Sequence, residues 1–170
     1  MIGCVGSDAY GLQLREGLLA EQIDCQGVRN VEGGVSGVAL IVVDANSQNT
    51  IVVVPGTNAC LVSQDIDACD SALQKADVIV CQLEVPMSTV GYTLDRGRAL
   101  NKTVILNPAP ASGPLPVEWY DAVDYLIPNE SEAQALSGVV VDSLDSAELA
   151  ARTLMGFGAG KVIVTLGAQG

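Results

Sequence analysis

Four short, almost wholly apolar runs in the second half of the chain leave few folds open to it. They are Asp77–Leu83 (DVIVCQL), Thr103–Leu106 (TVIL), Asp124–Ile127 (DYLI) and Lys161–Leu166 (KVIVTL), and residues at helical spacing separate them. A strand that is apolar along its whole length is one buried on both faces, which is the habit of a parallel sheet. Parallel neighbours cannot be joined by a tight turn, so helices must return the chain between them, in right-handed crossovers. Pro86 suits a first helical position ahead of the Val90 and Leu94 stripe. Asp145-Ser-Ala-Glu148 reads as a capping box, with Leu144 and Leu149 as its hydrophobic staple and Gly156 and Gly158 as the stop after Leu154. The pattern predicts an α/β fold on a parallel sheet.

The first third reads differently. After a strand ending near Val5, Gly11–Gln22 carries Leu14, Leu18 and Leu19 at helical spacing. Ser36–Val43 (SGVALIVV) and Thr50–Val54 (TIVVV), joined by a polar turn over Asp44–Asn49, predict a β-hairpin. A hairpin inside a βαβ series projects from the main sheet, and such flaps often cover a site. Ser36–Val54 is therefore expected to form a lid element within a single domain spanning residues 1–170, because no repeat or linker divides the chain. Met1 opens directly into a strand and Gly170 falls in the turn after another, so the sequence reads as an excerpt truncated at both ends.

Composition narrows the chemistry. With 170 residues, 49% of them apolar, the chain can bury a core. A net charge of -12 repels a phosphate backbone, so nucleic acid is not an expected partner. No apolar run approaches the ~18 residues of a membrane span, and the start lacks the pattern of a signal peptide, so a cytoplasmic location away from membranes is expected. The sequence has no histidine, which removes Ser-His and Cys-His nucleophile pairs and every imidazole zinc site. Cys4, Cys25, Cys60, Cys69 and Cys81 include no C-x-x-C pair and read as buried, reduced thiols.

In an open α/β sheet, ligands bind beyond the carboxyl ends of the strands. Four such ends carry polar residues: Glu84, Asn107-Pro-Ala-Pro-Ala111, Asn129-Glu-Ser-Glu132 and Thr165-Leu-Gly-Ala-Gln-Gly170. Glu84 can accept hydrogen bonds from a sugar hydroxyl or orient a base; it can equally be a solvated acid leading a helix. Asn129 and Glu132 have the spacing of a helix N-cap and its N3 partner, and the same amide and carboxylate can hold water around a magnesium ion beside a phosphate. The glycines after Thr165 leave backbone amides open to a phosphate or ribose, or simply exit a strand. Neither a P-loop nor a complete G-x-G-x-x-G is present.

The order of the motifs says more than any one of them. Val5-Gly-Ser-Asp-Ala-Tyr-Gly11, Gly37-Val-Ala-Leu40, Gly56-Thr-Asn-Ala59, Gln82-Leu-Glu-Val-Pro86, Asn107-Pro-Ala-Pro-Ala111, Pro128-Asn-Glu-Ser-Glu132 and Thr165-Leu-Gly167 closely resemble the middle of the ribokinases, within the PfkB-type carbohydrate kinase family. The resemblance covers essentially the whole chain. It implies a parallel-sheet α/β/α sandwich with a projecting hairpin lid, and ATP-dependent phosphorylation of the 5-hydroxyl of ribose to ribose 5-phosphate. Glu84 would bind the sugar; Asn129, Thr165, Gly167 and Gly170 the nucleotide; Glu132 the magnesium. The implied cofactors are ATP and Mg2+, with a monovalent cation such as K+ admitted beside them. The implied partners are ribose, ATP and a second subunit paired through the lid.

The family's glycine-rich sugar-binding run, Gly-Gly-Lys-Gly-Ala-Asn, and its Asp-Thr-x-Gly-Ala-Gly-Asp motif with the catalytic aspartate do not occur in this chain. No catalytic base is named, and the 170 residues alone are expected to be inactive. Three alternatives stand beside the ribose kinase: a non-catalytic nucleotide- or sugar-binding module on the same scaffold, a related PfkB-type kinase for another sugar or nucleoside, and a folding fragment without a ligand.

Overall fold

The computed structural model describes residues 1–43, 49–111, 113–167 and 170. They divide into two compact units, Met1–Cys69 with Glu84–Pro86, and Asp70–Leu83 with Met87–Gly170.

In the first unit, β1 (Ile2–Gly6) leads into α1 (Ala9–Ala20), and β2 (Gly27–Val31) returns parallel to β1, pairing Ile2 with Gly27 through Gly6 with Val31. Val5, Cys25 and Val28 are buried together with Leu18 of α1 against them, the arrangement a βαβ crossover requires. The sequence gives little sign of β2, since Arg29 and Asn30 interrupt its apolar run. Arg29 nonetheless ties the unit together: its guanidinium donates to both carboxylate oxygens of Asp65 (2.6 and 3.0 Å) and to the Cys60 carbonyl (2.6 Å). β3 (Val38–Val43) and β4 (Asn49–Val54) form the expected antiparallel hairpin, with Val38 opposite Val54. The polar turn expected over Asp44–Asn49 lies outside the described residues except at Asn49, where β4 begins. A 3-10 turn (Gly56–Cys60) and α2 (Ser63–Ala68) complete the unit.

The second unit runs α3 (Asp70–Lys75), β5 (Val78–Cys81), α4 (Met87–Ala99), β6 (Thr103–Leu106), α5 (Val117–Tyr120), β7 (Tyr125–Leu126), α6 (Glu130–Ser137), α7 (Leu144–Gly156) and β8 (Lys161–Val162). Its four strands form one parallel sheet in the order β5-β6-β7-β8. The alternation of strand and helix is the one read from the four apolar runs. Leu94, Leu106, Leu126 and Leu154, from α4, β6, β7 and α7, are wholly buried and form its core.

Three local expectations are corrected. β5, β7 and β8 are shorter than their apolar runs, and β5 is not buried on both faces: Ile79 is enclosed, while Val78 and Val80 on the alternate face are 46% and 69% exposed. The cap of α7 is Ser143, not Asp145. The Ser143 hydroxyl accepts from Ser146 N (3.2 Å), and Ser146 Oγ accepts from Ser143 N (2.9 Å). A short hydroxyl already in place before the first turn makes the cap, so Glu148 is free to pair with Arg152 one turn on. Leu144 and Leu149 are both mostly exposed and form no staple.

The third correction concerns the thiols. All five cysteines are free; Cys4 and Cys25 are buried as expected, but Cys60 is exposed. Burial pushes the Cys81 thiol up to about 11, so it holds almost no thiolate at neutral pH. Brief treatment with iodoacetamide at pH 7.5 is expected to alkylate Cys60 and spare Cys81, as read by peptide mass spectrometry; equal labelling would contradict this packing. No helix among the described residues is long and apolar enough to cross a membrane.

Candidate functional site at the carboxyl ends of the strands

Three of the residues singled out from the sequence meet at the carboxyl end of the second unit's sheet. Beyond β7 and β8 the chains stay adjacent through a parallel bridge between Asn129 and Thr165, and Thr165 N donates to the Pro128 carbonyl (2.9 Å). Asn129 then caps α6. Its Oδ1 accepts from Glu132 N (2.9 Å) and from Ser131 Oγ (2.8 Å), while Glu132 Oε2 accepts from Asn129 N (2.9 Å). Asn129 and Thr165 are exposed, and Glu132 is buried to 7% exposure. Asn107 lies on the same edge, directly after β6, with its N donating to the Cys81 carbonyl (2.9 Å).

The capping geometry decides what each group has left to offer. Both acceptor directions of the Asn129 carbonyl oxygen are taken, so this side chain can meet a ligand only as a donor through Nδ2. Glu132 keeps Oε1 outside the cap. After Thr165 the backbone turns at Gly167 (φ 55°) and again at Gly170 (φ 122°), and Gly170 N donates to the Gly167 carbonyl (3.4 Å). An ideal Cβ at either glycine would meet nothing within 4 Å, so conformation, not crowding, requires glycine there.

Among the described residues no three Cys, Asp or Glu side chains are grouped to hold a metal ion. That donor set cannot cage a metal, but it suits magnesium, which needs only one or two carboxylates and keeps waters and substrate phosphates as its other ligands. Glu132 Oε1 is the oxygen that fits.

Glu84, three residues past β5, is exposed and groups with the first unit, whereas Asn107, Asn129, Glu132 and Thr165 belong to the second. Gly167 and Gly170 also lie in the second unit.

The sequence reading assigned no role to Asp8, although in the structure both of its carboxylate oxygens accept hydrogen bonds. It lies beside a cleft of about 640 Å³ whose lining includes Gly6, Ser7, Arg15 and Asn30. Asp8 Oδ1 accepts from Gly11 N (2.9 Å) and Ser36 Oγ (2.7 Å), and Oδ2 accepts from Ser36 N (3.0 Å). The Ser36 hydroxyl, foremost among these donors, holds the Asp8 carboxyl below the ordinary carboxylate range.

The model of the pfkB family carbohydrate kinases matches residues 1–170. A deoxyribokinase of Salmonella typhi is 38% identical over 170 residues, which are all of this chain and 56% of that protein. A ribokinase of Schizosaccharomyces pombe is 33% identical, over all of this chain and 54% of its own length. The chain thus spans about half the length of the curated relatives it matches. Among solved structures, Thermotoga maritima ribokinase superposes with a TM-score of 0.82 at 36% identity, covering 99% of this chain and 54% of that one. The Arabidopsis thaliana ribokinase complexed with ribose and ATP gives 0.89 at 27% identity, with 99% and 55% covered. The fold is therefore ribokinase-like α/β, and the chain belongs to the PfkB family of carbohydrate kinases.

Proposed function

We propose that this chain is the central part of an ATP-dependent sugar kinase that phosphorylates ribose at its 5-hydroxyl to give ribose 5-phosphate. The observation that carries the reading is the match of the whole of this chain to about half the length of a ribokinase and a deoxyribokinase, together with the Asn129-Glu132-Thr165 cluster at the sheet's carboxyl rim. Phosphoryl transfer asks little covalent chemistry of the protein and much positioning. In this reading Glu84 accepts hydrogen bonds from the sugar hydroxyls. Asn129 Nδ2, the donor end of its amide, donates to a phosphate oxygen. Thr165 and the backbone at Gly167 and Gly170 border the nucleotide. Glu132 Oε1 holds magnesium through water, and the ion when bound supplies positive charge to the transferred phosphoryl group. A monovalent cation such as K+ serves beside it, the protein is cytoplasmic, and β3 and β4 pair with a second subunit. The residue that takes the hydroxyl proton is not assigned within this chain, so Met1–Gly170 alone is expected to form no sugar phosphate.

A 2-deoxyribose substrate is the second reading, favoured by the 38% identical deoxyribokinase. Calorimetry on a full-length protein carrying this chain separates the two from each other and from a scaffold without a ligand: ATP and ribose should both bind, ribose more tightly than 2-deoxyribose. Absence of binding by either sugar would overturn the reading.

Glu132 offers a sharper check, because glutamine there keeps an oxygen for the Asn129 N–H and so preserves the cap. In the full-length kinase, Glu132→Gln should raise the magnesium concentration for half-maximal activity about tenfold or more, the scale on which weakened support of a metal site is felt. An unchanged magnesium titration would leave Glu132 as a helix cap only.

A further inference from the structure

Among the described residues the hairpin of β3 and β4 is exposed along its length, at 39–43 and 50–54, and its strands are paired only with each other. Its orientation is therefore set at its root, and there both legs are tied to β1. On the first leg, Ser36 is 1% exposed; its hydroxyl accepts from Gly6 N (2.9 Å) and donates to Asp8 Oδ1, while its N–H donates to Asp8 Oδ2. On the second leg, Thr57 is buried, its N donates to the Val35 carbonyl (2.9 Å), and its hydroxyl donates to the Cys4 carbonyl (3.4 Å). The legs also meet backbone to backbone. A Cβ on Gly37 would lie 2.8 Å from the Pro55 carbonyl oxygen, and one on Gly56, at φ 53°, would strike the Val35 carbonyl.

We propose that Asp8, through its two-oxygen grip on Ser36, is the positioning residue that fixes the angle of the β3–β4 hairpin and thereby sets sugar affinity without touching the sugar. Two carboxylate oxygens holding an N–H and an O–H of one residue remove both translation and rotation of that residue, which a single hydrogen bond does not. Asp8 has a second duty, the cap on α1, and the two can be separated. Serine is as good an N-cap as aspartate but too short to span to both Ser36 donors, so Asp8→Ser keeps the cap and opens the clamp. Ser36→Ala opens it from the other side with Asp8 intact. The consequence for affinity rests on the sugar-kinase reading; the clamp itself does not.

The test is a distance measurement by pulsed electron paramagnetic resonance. Spin labels are carried on non-natural residues at Ile41 and Glu21, avoiding the native thiols, in Met1–Gly170 and in the full-length kinase. The unsubstituted protein should give one narrow distribution, and Asp8→Ser and Ser36→Ala should each broaden or shift it. In the full-length enzyme Asp8→Ser should raise the ribose KM about tenfold with the ATP KM unmoved, as when the binding-competent population falls to about a tenth. Should Asp8→Ser fail to fold, Ser36→Ala and Asp8→Asn, which sets an amide N–H against Ser36 N–H, are read in its place. Unchanged distributions would overturn the clamp. A changed distribution with an unchanged ribose KM would overturn its role in affinity while leaving the kinase reading standing. If the unsubstituted enzyme turns over no sugar, it is the kinase reading that fails, and the distances still decide the clamp.

Discussion

Gly11→Ala destabilises the first unit by about 2–3 kcal/mol, a large share of what holds a unit of this size together, because the added methyl has no room that a side-chain rotation could create. Gly11 is buried in the first turn of α1, and an ideal Cβ there overlaps the Gly6 carbonyl and comes within 3.0 Å of Ser36 Oγ. The carbonyl belongs to the last residue of β1 and the hydroxyl is fixed by Asp8 and Gly6, so neither can give way. The same substitution six residues on has the opposite sign. Gly17 lies in the same helix with nothing within 4 Å of its Cβ, and Gly17→Ala should stabilise by about 0.5–1 kcal/mol through helix propensity. Urea titrations of the two variants check both values, and equal shifts in the midpoint would show that the close approach of α1 to β1 is wrong.

The second large effect is functional. In a full-length kinase carrying this chain, Glu84→Ala lowers kcat/KM for the sugar by about 10- to 150-fold, the equivalent of the ~1.5–3 kcal/mol carried by a hydrogen bond to a charged group. The ATP KM stays within twofold. Glu84→Gln, which retains an acceptor but not the charge, recovers part of the loss. The selectivity follows from the proposed roles, Glu84 toward the sugar and Asn129, Glu132 and Thr165 toward the nucleotide and magnesium. Steady-state kinetics with each substrate varied in turn gives the answer, and equal losses toward sugar and ATP would assign Glu84 to the scaffold instead.

The parts of the fold that could be read from the sequence are those where one physical demand acts alone. TVIL became β6 over the same four residues, because Val104 and Leu106 face a core with no competing polar demand. The hairpin was legible from β-branched runs around a polar turn. Asn129 and Glu132 were legible as a capping box since that pattern is local, needing only four consecutive residues. What was hidden depends on pairs far apart in the chain. β2 contains Arg29, whose reason for lying in a strand is Asp65, 36 residues away. Asp8 drew no role from the sequence, because its partner Ser36 lies 28 residues on. At α7 the sequence reading named Asp145 as the cap, and Ser143, which makes it, stands two residues earlier.

The most direct single measurement is sugar-dependent release of ADP from ATP by a purified, mass-verified full-length protein carrying this chain, with ribose, 2-deoxyribose, fructose and adenosine offered in parallel under saturating magnesium. Under the proposed reading that protein should release ADP with ribose, less with 2-deoxyribose, and form the 5-phosphate. ADP release that is no faster with any sugar than without one would contradict the sugar-kinase reading at its centre.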